Sequence, residues 1–230
     1  MVAVVIAAAG QGVRLGAGSP KALKPLAGRP LYLYSLATLR AVSGVGGVWL
    51  VVPSAAQETV SAELSKPGEY PFPVQVVAGG AERQESVAKA LTALPPETAI
   101  VAVHDAARPF ASAQLFQSCI AAARFHGAAI AALPASDTVK LVEAGVVRET
   151  LDRSRTWLAQ TPQVARADWL RIALERAVAA KLLFTDEAGA LEHCGYPVHI
   201  VRGEEWNRKL TTPEDWKWAE WFALERSFLA

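Results

Sequence analysis

Cysteine is scarce in this chain. Cys119 and Cys194 are the only two, they sit in unrelated segments, and no cysteine or histidine stands beside them at metal-ligand spacing. That excludes a disulfide framework and a zinc cluster, and leaves two small apolar side chains suited to a reducing compartment. An excess of charge of either sign is missing too. Lys and Arg number 23 against 22 Asp and Glu, so no global field draws the chain to nucleic acid or to an anionic membrane, and an anionic ligand must be gripped by a local cluster. The opening apolar run, Val2–Ala9, is of strand length and too short to span a membrane. It lacks the basic start and the length of a secretory segment, and glycines and charges follow it directly, so no export and a cytoplasmic location are expected. Internal repeats, low-complexity tracts and linker-like stretches are also wanting. The 230 residues therefore read as one domain, long enough to bury a substantial core.

Two familiar phosphate loops are absent. A dinucleotide-binding fingerprint needs a third glycine where Leu15 stands, and a P-loop needs Gly-Lys followed by Ser or Thr, which this stretch does not contain. What is present is an apolar strand ending in Gly10-Gln11-Gly12, then Arg14, Lys21 and Lys24, then Gly28-Arg29-Pro30. Glycines there let backbone amides approach a ligand closely, and cations a few residues on neutralise a polyanion. A tight turn beside ordinary surface cations is the plainer explanation of any one of these features. Together they read as a triphosphate cradle, and they resemble the signature of sugar-nucleotide and polyol-phosphate nucleotidyltransferases.

Along the chain, apolar runs and helical stripes alternate. Strands are expected at Val48–Val52, Pro73–Ala78, Ala99–Val103, Ala128–Leu133 and Val198–Val201, with helices over about Leu31–Arg40, Ser54–Leu64, Glu82–Leu94, Ala113–Phe125 and Ala165–Ala180. A helix is expected to open near Thr185-Asp186-Glu187, and a last one, carrying Trp216, Ala219, Phe222 and Ala223 on one face, after Thr212-Pro213. The rhythm implies an α/β fold with a Rossmann-like, mainly parallel sheet and helices on both faces. Ligands of such sheets sit beyond the carboxyl ends of the strands, where Gly10–Lys21, Gly79–Ser86 and His104–Pro109 all fall. Asp137–Arg153 breaks the rhythm. Thr138–Val142 and Val146–Thr150 flank Glu143-Ala144-Gly145 and read as a β-hairpin. A lone hairpin is marginal in water, so this arm of about residues 136–156 is expected to pack on something else, such as another subunit.

The strings AAGQGVR, PK, GGAERQESV, VHDAARP, DTVK, TLDR, TPQ, TDEA and NRKLTTPED, in this order from Ala8 to Asp215, closely resemble the 2-C-methyl-D-erythritol 4-phosphate cytidylyltransferase family of the non-mevalonate isoprenoid pathway. The resemblance implies transfer of CMP from CTP to the polyol phosphate, with release of pyrophosphate. It implies stabilisation of the pentacoordinate phosphorus by Arg14, Lys21 and Lys209, and base selection by Ala8, Ala9, Gly10, Gly12, Gly80 and Ser86. Asp105 is implied to face the polyol or the metal-triphosphate, and Arg108 to lie beside the polyol or beneath the motif. Thr138, Arg153, Thr161 and Thr185 are implied to hold the polyol phosphate, Arg153 steering its phosphate group. Thr138 and Arg153 are implied to come from the neighbouring subunit's arm, so that the site is complete only in a homodimer. Mg²⁺ is implied as a companion of the CTP phosphates, Asp105 being its indirect ligand, while spacing shows no metal site of protein residues. The bland readings are a solvated charge run for Asp152, Arg153 and Arg155, a surface cation for Lys209, and a helix cap for Thr185 or Asp186. His104 is expected to be structural and Lys24 to be surface. One departure stands out: Ala81 follows the double glycine where family members often carry an acid or polar residue, which removes a side-chain contact to base or ribose. Ribitol 5-phosphate as acceptor, or a silent nucleotide-binding module, are the alternatives. A fused downstream enzyme is not expected.

Overall fold

The computed structural model describes residues 1–10, 20–65 and 68–225. The strands are, in chain order, β1 (Val2–Ala7), β2 (Pro25–Leu26), β3 (Arg29–Pro30), β4 (Val45–Val52), β5 (Val74–Ala78), β6 (Ile100–Asp105), β7 (Ala128–Pro134), β8 (Lys140–Glu143), β9 (Val146–Thr150), β10 (Trp157–Arg166) and β11 (His199–Arg202). The helices are α1 (Leu31–Leu39), α2 (Gln57–Glu63), α3 (Arg83–Ala93), α4 (Ala113–His126), α5 (Ala167–Ala179), α6 (Glu187–His193) and α7 (Pro213–Glu225). Seven strands form one sheet in the order β11-β7-β10-β6-β1-β4-β5. Every neighbouring pair is parallel except the two that β10 makes with β6 and β7.

β1 lies inside the sheet, between β6 and β4, because nothing in it is polar. Its alternation is divided between two apolar layers rather than between core and water. Val2, Val4 and Ile6 pack with Leu36 of α1 and Phe116 of α4. Ala3 and Val5 pack with Val87 of α3, Leu170 of α5 and Leu191 of α6. A third cluster joins Leu26, Leu31, Phe110 and Leu210 to Trp216 and Phe222 of α7, which ties the chain's last described helix to the segment just after the first strand. Among the described residues, no helix is long and apolar enough to cross a membrane.

The sheet differs from the sequence expectation at one strand. No strand is expected from the sequence at Trp157–Arg166, where Thr161-Pro162-Gln163 leads into the helix expected from about Ala165, and these residues form a ten-residue strand between β6 and β7. Proline cannot donate to a ladder, so Pro162 argues against a central strand. The structure accommodates it in a break: the pairing with β7 is interrupted between Ala159 and Gln163, and the pairing with β6 starts at Gln163. The strand also delays α5, which begins at Ala167. β4 starts earlier than expected, at Val45, running through Gly46 and Gly47. The ring of Trp49 lies over Gly47, where an added Cβ would come within 2.9 Å of it.

The arm is a separate two-stranded sheet, β8 against β9, turned at Ala144 and Gly145, both with positive φ. Every residue of the two strands is exposed, including Leu141, Val142, Val146 and Val147 at 53–55 %.

Candidate active site

A cleft of about 350 Å³ opens at the carboxyl ends of β1, β5 and β6. The floor comes from Ala7, Ala8, Ala9 and Gly10 at the end of β1, with Ala106 and Ala107 after β6. One wall is the Gly80–Arg83 turn with Ser86, and the other carries Lys21, Lys209 and Thr211. Small residues are required in the Gly79-Gly80 turn, where the wall meets the floor. A Cβ on Gly79 would stand 2.5 Å from that of Ala9 and 3.0 Å from Ser86 Oγ, and one on Gly80 would stand 2.6 Å from Glu85 Cβ. The buried hydroxyl of Ser86 holds this turn, accepting the Gly80 N–H at 3.0 Å and donating to the Glu82 carbonyl at 3.0 Å. Glu85 accepts the Ala81 N–H at 2.9 Å.

Four charged side chains of the site form a chain. Lys209 Nζ lies 2.7 Å from Asp105 Oδ2. On the opposite oxygen, Arg83 Nε lies 3.0 Å from Asp105 Oδ1. The two terminal nitrogens of Arg83 then grip Glu187, from the first turn of α6, as a fork at 2.7 and 2.9 Å. Asp105 and Glu187 are both buried, so each carboxylate needs its cation. Burial by itself raises the Asp105 pKa, and the charges of Arg83 and Lys209 override it and hold the carboxyl well below the usual carboxylate range. Burial likewise opposes the charge on Arg83, and Glu187 and Asp105 restore it.

Lys209 is delivered by a pinned loop. Asn207 is completely buried, its amide donating to the Thr161 carbonyl at 2.8 Å and to Gln160 Oε1 at 3.2 Å. Arg108 donates to the Asn207 carbonyl at 2.8 Å and to the Ala159 carbonyl at 3.2 Å. Leu210, with no exposed surface, donates its N–H to the Ala107 carbonyl at 2.8 Å. Between these anchors, Lys209 reaches the cleft and Asp105. Behind Asp105, its own N–H donates to Thr161 Oγ1 at 3.1 Å, and the Thr161 hydroxyl lies 2.9 Å from His104 Nδ1. His104 Nε2 faces the Arg108 carbonyl at 3.0 Å. Since that carbonyl only accepts, Nε2 carries the proton and Nδ1 accepts from Thr161. Burial pushes the His104 pKa down to about 4, so the ring is neutral. It is a structural member of the site, as expected.

The structure thus brings Ala8, Ala9, Gly10, Gly80, Ser86, Lys21, Asp105 and Lys209 to one cleft. Arg14 and Gly12 lie outside the described residues. Arg108 and Thr161 sit beneath the cleft rather than on its lining. Thr161 accepts the Asp105 N–H and Arg108 donates to the Asn207 carbonyl, so they position Asp105 and the Lys209 loop, while the buried Arg108 Nε has no partner among the described residues. Thr138, Arg153 and Thr185 are exposed and away from the cleft lining of this chain. Arg153 donates to the Ser136 carbonyl at 3.1 Å, at the root of the arm. The cap ahead of α6 is Asp186, which accepts the Gly189 N–H at 3.0 Å. Lys24 is half-buried, its ammonium 4.7 Å over the ring of Trp216.

Sequence reasoning missed Arg83 and Glu187. Glu187 in a first turn looks like an ordinary helix-start acid, but an arginine in the first turn of α3 runs against the helix dipole. That mismatch was the available signal. Among the described residues, no group of three or more His, Cys, Asp or Glu gathers as a metal site.

With this geometry in place, comparison with known proteins is informative. The family model for IspD, 2-C-methyl-D-erythritol 4-phosphate cytidylyltransferase, matches residues 2–226. A relative of that name from Symbiobacterium thermophilum is 44% identical over 95% of this chain and 91% of its own. Another, from Thermosynechococcus vestitus, is 41% identical over 94% of this chain and 93% of its own. The crystal structure of 4-diphosphocytidyl-2C-methyl-D-erythritol synthase from Anaerococcus prevotii superposes with a TM-score of 0.84 at 30% identity, covering 97% of this chain and 98% of that one. The 2-C-methyl-D-erythritol 4-phosphate cytidylyltransferase of Thermus thermophilus gives 0.79 at 34% identity, covering 96% and 98%. A single cleft of small residues and lysines at the strand ends, matched along almost the whole chain, leads to one conclusion: this chain belongs to the 2-C-methyl-D-erythritol 4-phosphate cytidylyltransferase family.

Proposed function

We propose that the cleft transfers CMP from CTP to 2-C-methyl-D-erythritol 4-phosphate, giving 4-diphosphocytidyl-2-C-methyl-D-erythritol and pyrophosphate, a step in isoprenoid precursor synthesis. The observation that carries this is the convergence of Lys21, Lys209 and Asp105 on a floor of alanine and glycine at the carboxyl ends of β1, β5 and β6. A floor without side-chain bulk suits a pyrimidine read by backbone amides, and Ser86 fixes the turn that faces it. The reaction asks for little proton chemistry, because the attacking phosphate oxygen is already an anion. It asks for two repelling anions to be held in line while charge grows on the α-phosphorus. Lys21 and Lys209 are the cations assigned to that charge, joined by Arg14 on the strength of the family motif.

Mg²⁺ fits this donor set. A hard, small cation takes oxygen ligands and keeps close to phosphates with one or two carboxylates, and Asp105 supplies a carboxylate at the cleft. When bound, the ion would neutralise phosphate charge, held mainly by the CTP phosphates with Asp105 as its indirect ligand. In the same reading, the whole chain is one nucleotidyltransferase domain. Residues 136–156 are a dimerisation arm that carries Thr138 and Arg153 to the partner subunit's site, with Thr185 facing the polyol phosphate. The exposed valines and leucine of the hairpin support an arm that finds a partner. A cytoplasmic place of action belongs to this reading.

The test is pyrophosphate release with CTP and Mg²⁺, comparing 2-C-methyl-D-erythritol 4-phosphate, ribitol 5-phosphate and no acceptor. Release confined to the first supports the proposal. Release with ribitol phosphate alone moves the acceptor assignment, and none with either leaves a binding module.

A further inference from the structure

Resting on that reading, the geometry points to Arg83 and Glu187 as positioning residues: Glu187 withholds the Arg83 guanidinium from the triphosphate, so that Arg83 stays on Asp105 and Lys209 is the cation that turns to phosphate. Three facts lead there. Arg83 lines the cleft, within reach of an anion bound in it, while Glu187 is buried behind it at 3 % exposure and off the lining. The two cations on Asp105 are held very differently. Arg83 makes three hydrogen bonds to two carboxylates, at 2.7, 2.9 and 3.0 Å, and its side chain is 25 % exposed. Lys209 makes one contact to Asp105, at 2.7 Å, and its side chain is 41 % exposed. An anion entering the cleft therefore competes for Lys209 against one carboxylate, and for Arg83 against two in fixed fork geometry.

The arrangement also settles what happens to Asp105 when Lys209 leaves it. A buried carboxylate stripped of its only partner is strongly disfavoured. With Arg83 locked on its other oxygen, Asp105 stays compensated, and the transfer of Lys209 from carboxylate to phosphate does not strand a charge. Without Glu187, the two terminal nitrogens of the guanidinium are released and can fork onto phosphate. Arg83 would hold ground state and pyrophosphate product tightly, which lowers KM and turnover together.

The test uses full-length Glu187→Gln and the charge-neutral double variant Arg83→Gln/Glu187→Gln, each first checked for folding by circular dichroism and melting. Pyrophosphate binding is read by calorimetry, a readout independent of turnover, and steady-state kinetics are read with CTP and 2-C-methyl-D-erythritol 4-phosphate. For E187Q, the expected result is pyrophosphate bound about tenfold tighter than by the unaltered protein, with KM for CTP and kcat both lowered. The double variant is expected to lose that tightening and to fall at least about tenfold in kcat, because Lys209 becomes the sole partner of Asp105. A folded E187Q whose pyrophosphate affinity is unchanged or weaker overturns the inference. So does a folded double variant with kcat within about twofold of the unaltered protein, which decides the matter if E187Q alone does not fold. If the unaltered protein itself shows no transfer, the proposed function has failed instead, and the calorimetric comparison still reads the clamp.

Discussion

His104 makes the stability of this protein sensitive to mild acid, through the same contacts that seat Asp105. The imidazole is completely buried at the end of β6, 4.9 Å from the ring of Phe116. It donates from Nε2 to the Arg108 carbonyl and accepts at Nδ1 from Thr161. A second proton makes Nδ1 a donor, so the Thr161 hydroxyl, which already receives the Asp105 N–H, loses the acceptor for its own proton. Burial pushes the pKa down to about 4 from 6.5. Asp105 and the Arg108 carbonyl pull it upward without overcoming burial, and the charges of Arg108 and Arg83 add to the depression. The unfolded chain takes up the proton near pH 6.5 and the folded chain only near 4, so between those values the unfolded state binds the extra proton. Stability is then full above about pH 6.5 and falls as pH is lowered. The gap corresponds to roughly 3 kcal/mol by pH 4, a large share of the stability of an ordinary domain. Urea unfolding followed by far-ultraviolet circular dichroism, in steps from about pH 7.5 to about 4.5, measures it. His104→Asn lowers stability at all pH but removes this part of the slope, so the difference between the two curves isolates the imidazole. Parallel curves for the two proteins over that range refute the reasoning. Asp105 acts in a separate window: its depressed pKa contributes stability above about pH 4, lost only below it.

Other outcomes follow from the same structure. Gly79→Ala forces its Cβ onto Ala9 and Ser86 and is expected to cost about 1–3 kcal/mol and to raise KM for CTP, read by thermal melting and steady-state kinetics. Leu141→Asp on the exposed hairpin is expected to shift sedimentation toward monomer, with the secondary structure retained and turnover lost. Chelation by EDTA is expected to abolish transfer and added Mg²⁺ to restore it, measured as pyrophosphate release.

Much of the fold was legible because its signals are local. The apolar runs of β1 and β7 and the stripe of Trp216, Ala219, Phe222 and Ala223 each carry their own pattern, and each is where the pattern placed it. The strand that was missed, β10, has a proline in it. Its place in the sheet depends on a break in pairing with β7, which no short window of sequence contains. At the site, Ala8-Ala9-Gly10 follow the strand directly, and Lys21 is announced by its Pro-Lys pair further along. Lys209 was reached only through the family motif, since nothing near it in sequence shows that Asn207 and Leu210 are anchored to segments about a hundred residues away. The Arg83–Glu187 fork joins two helix starts 104 residues apart. Each end looks like a surface charge until the fold supplies the other. Thr161 and Arg108 were reached through the family motif, and only the fold shows that they also support Asp105 and the Lys209 loop.

The most direct measurement is turnover under saturating CTP and 2-C-methyl-D-erythritol 4-phosphate for Lys21→Ala and Lys209→Met, alongside melting curves. Removing either cation from the growing phosphorane charge is expected to lower kcat by about two to three orders of magnitude, with melting temperature little changed, since Lys21 and Lys209 lie at the partly exposed cleft rather than in the core. Full turnover in either folded variant would contradict the assignment of this cleft's lysines to phosphoryl chemistry.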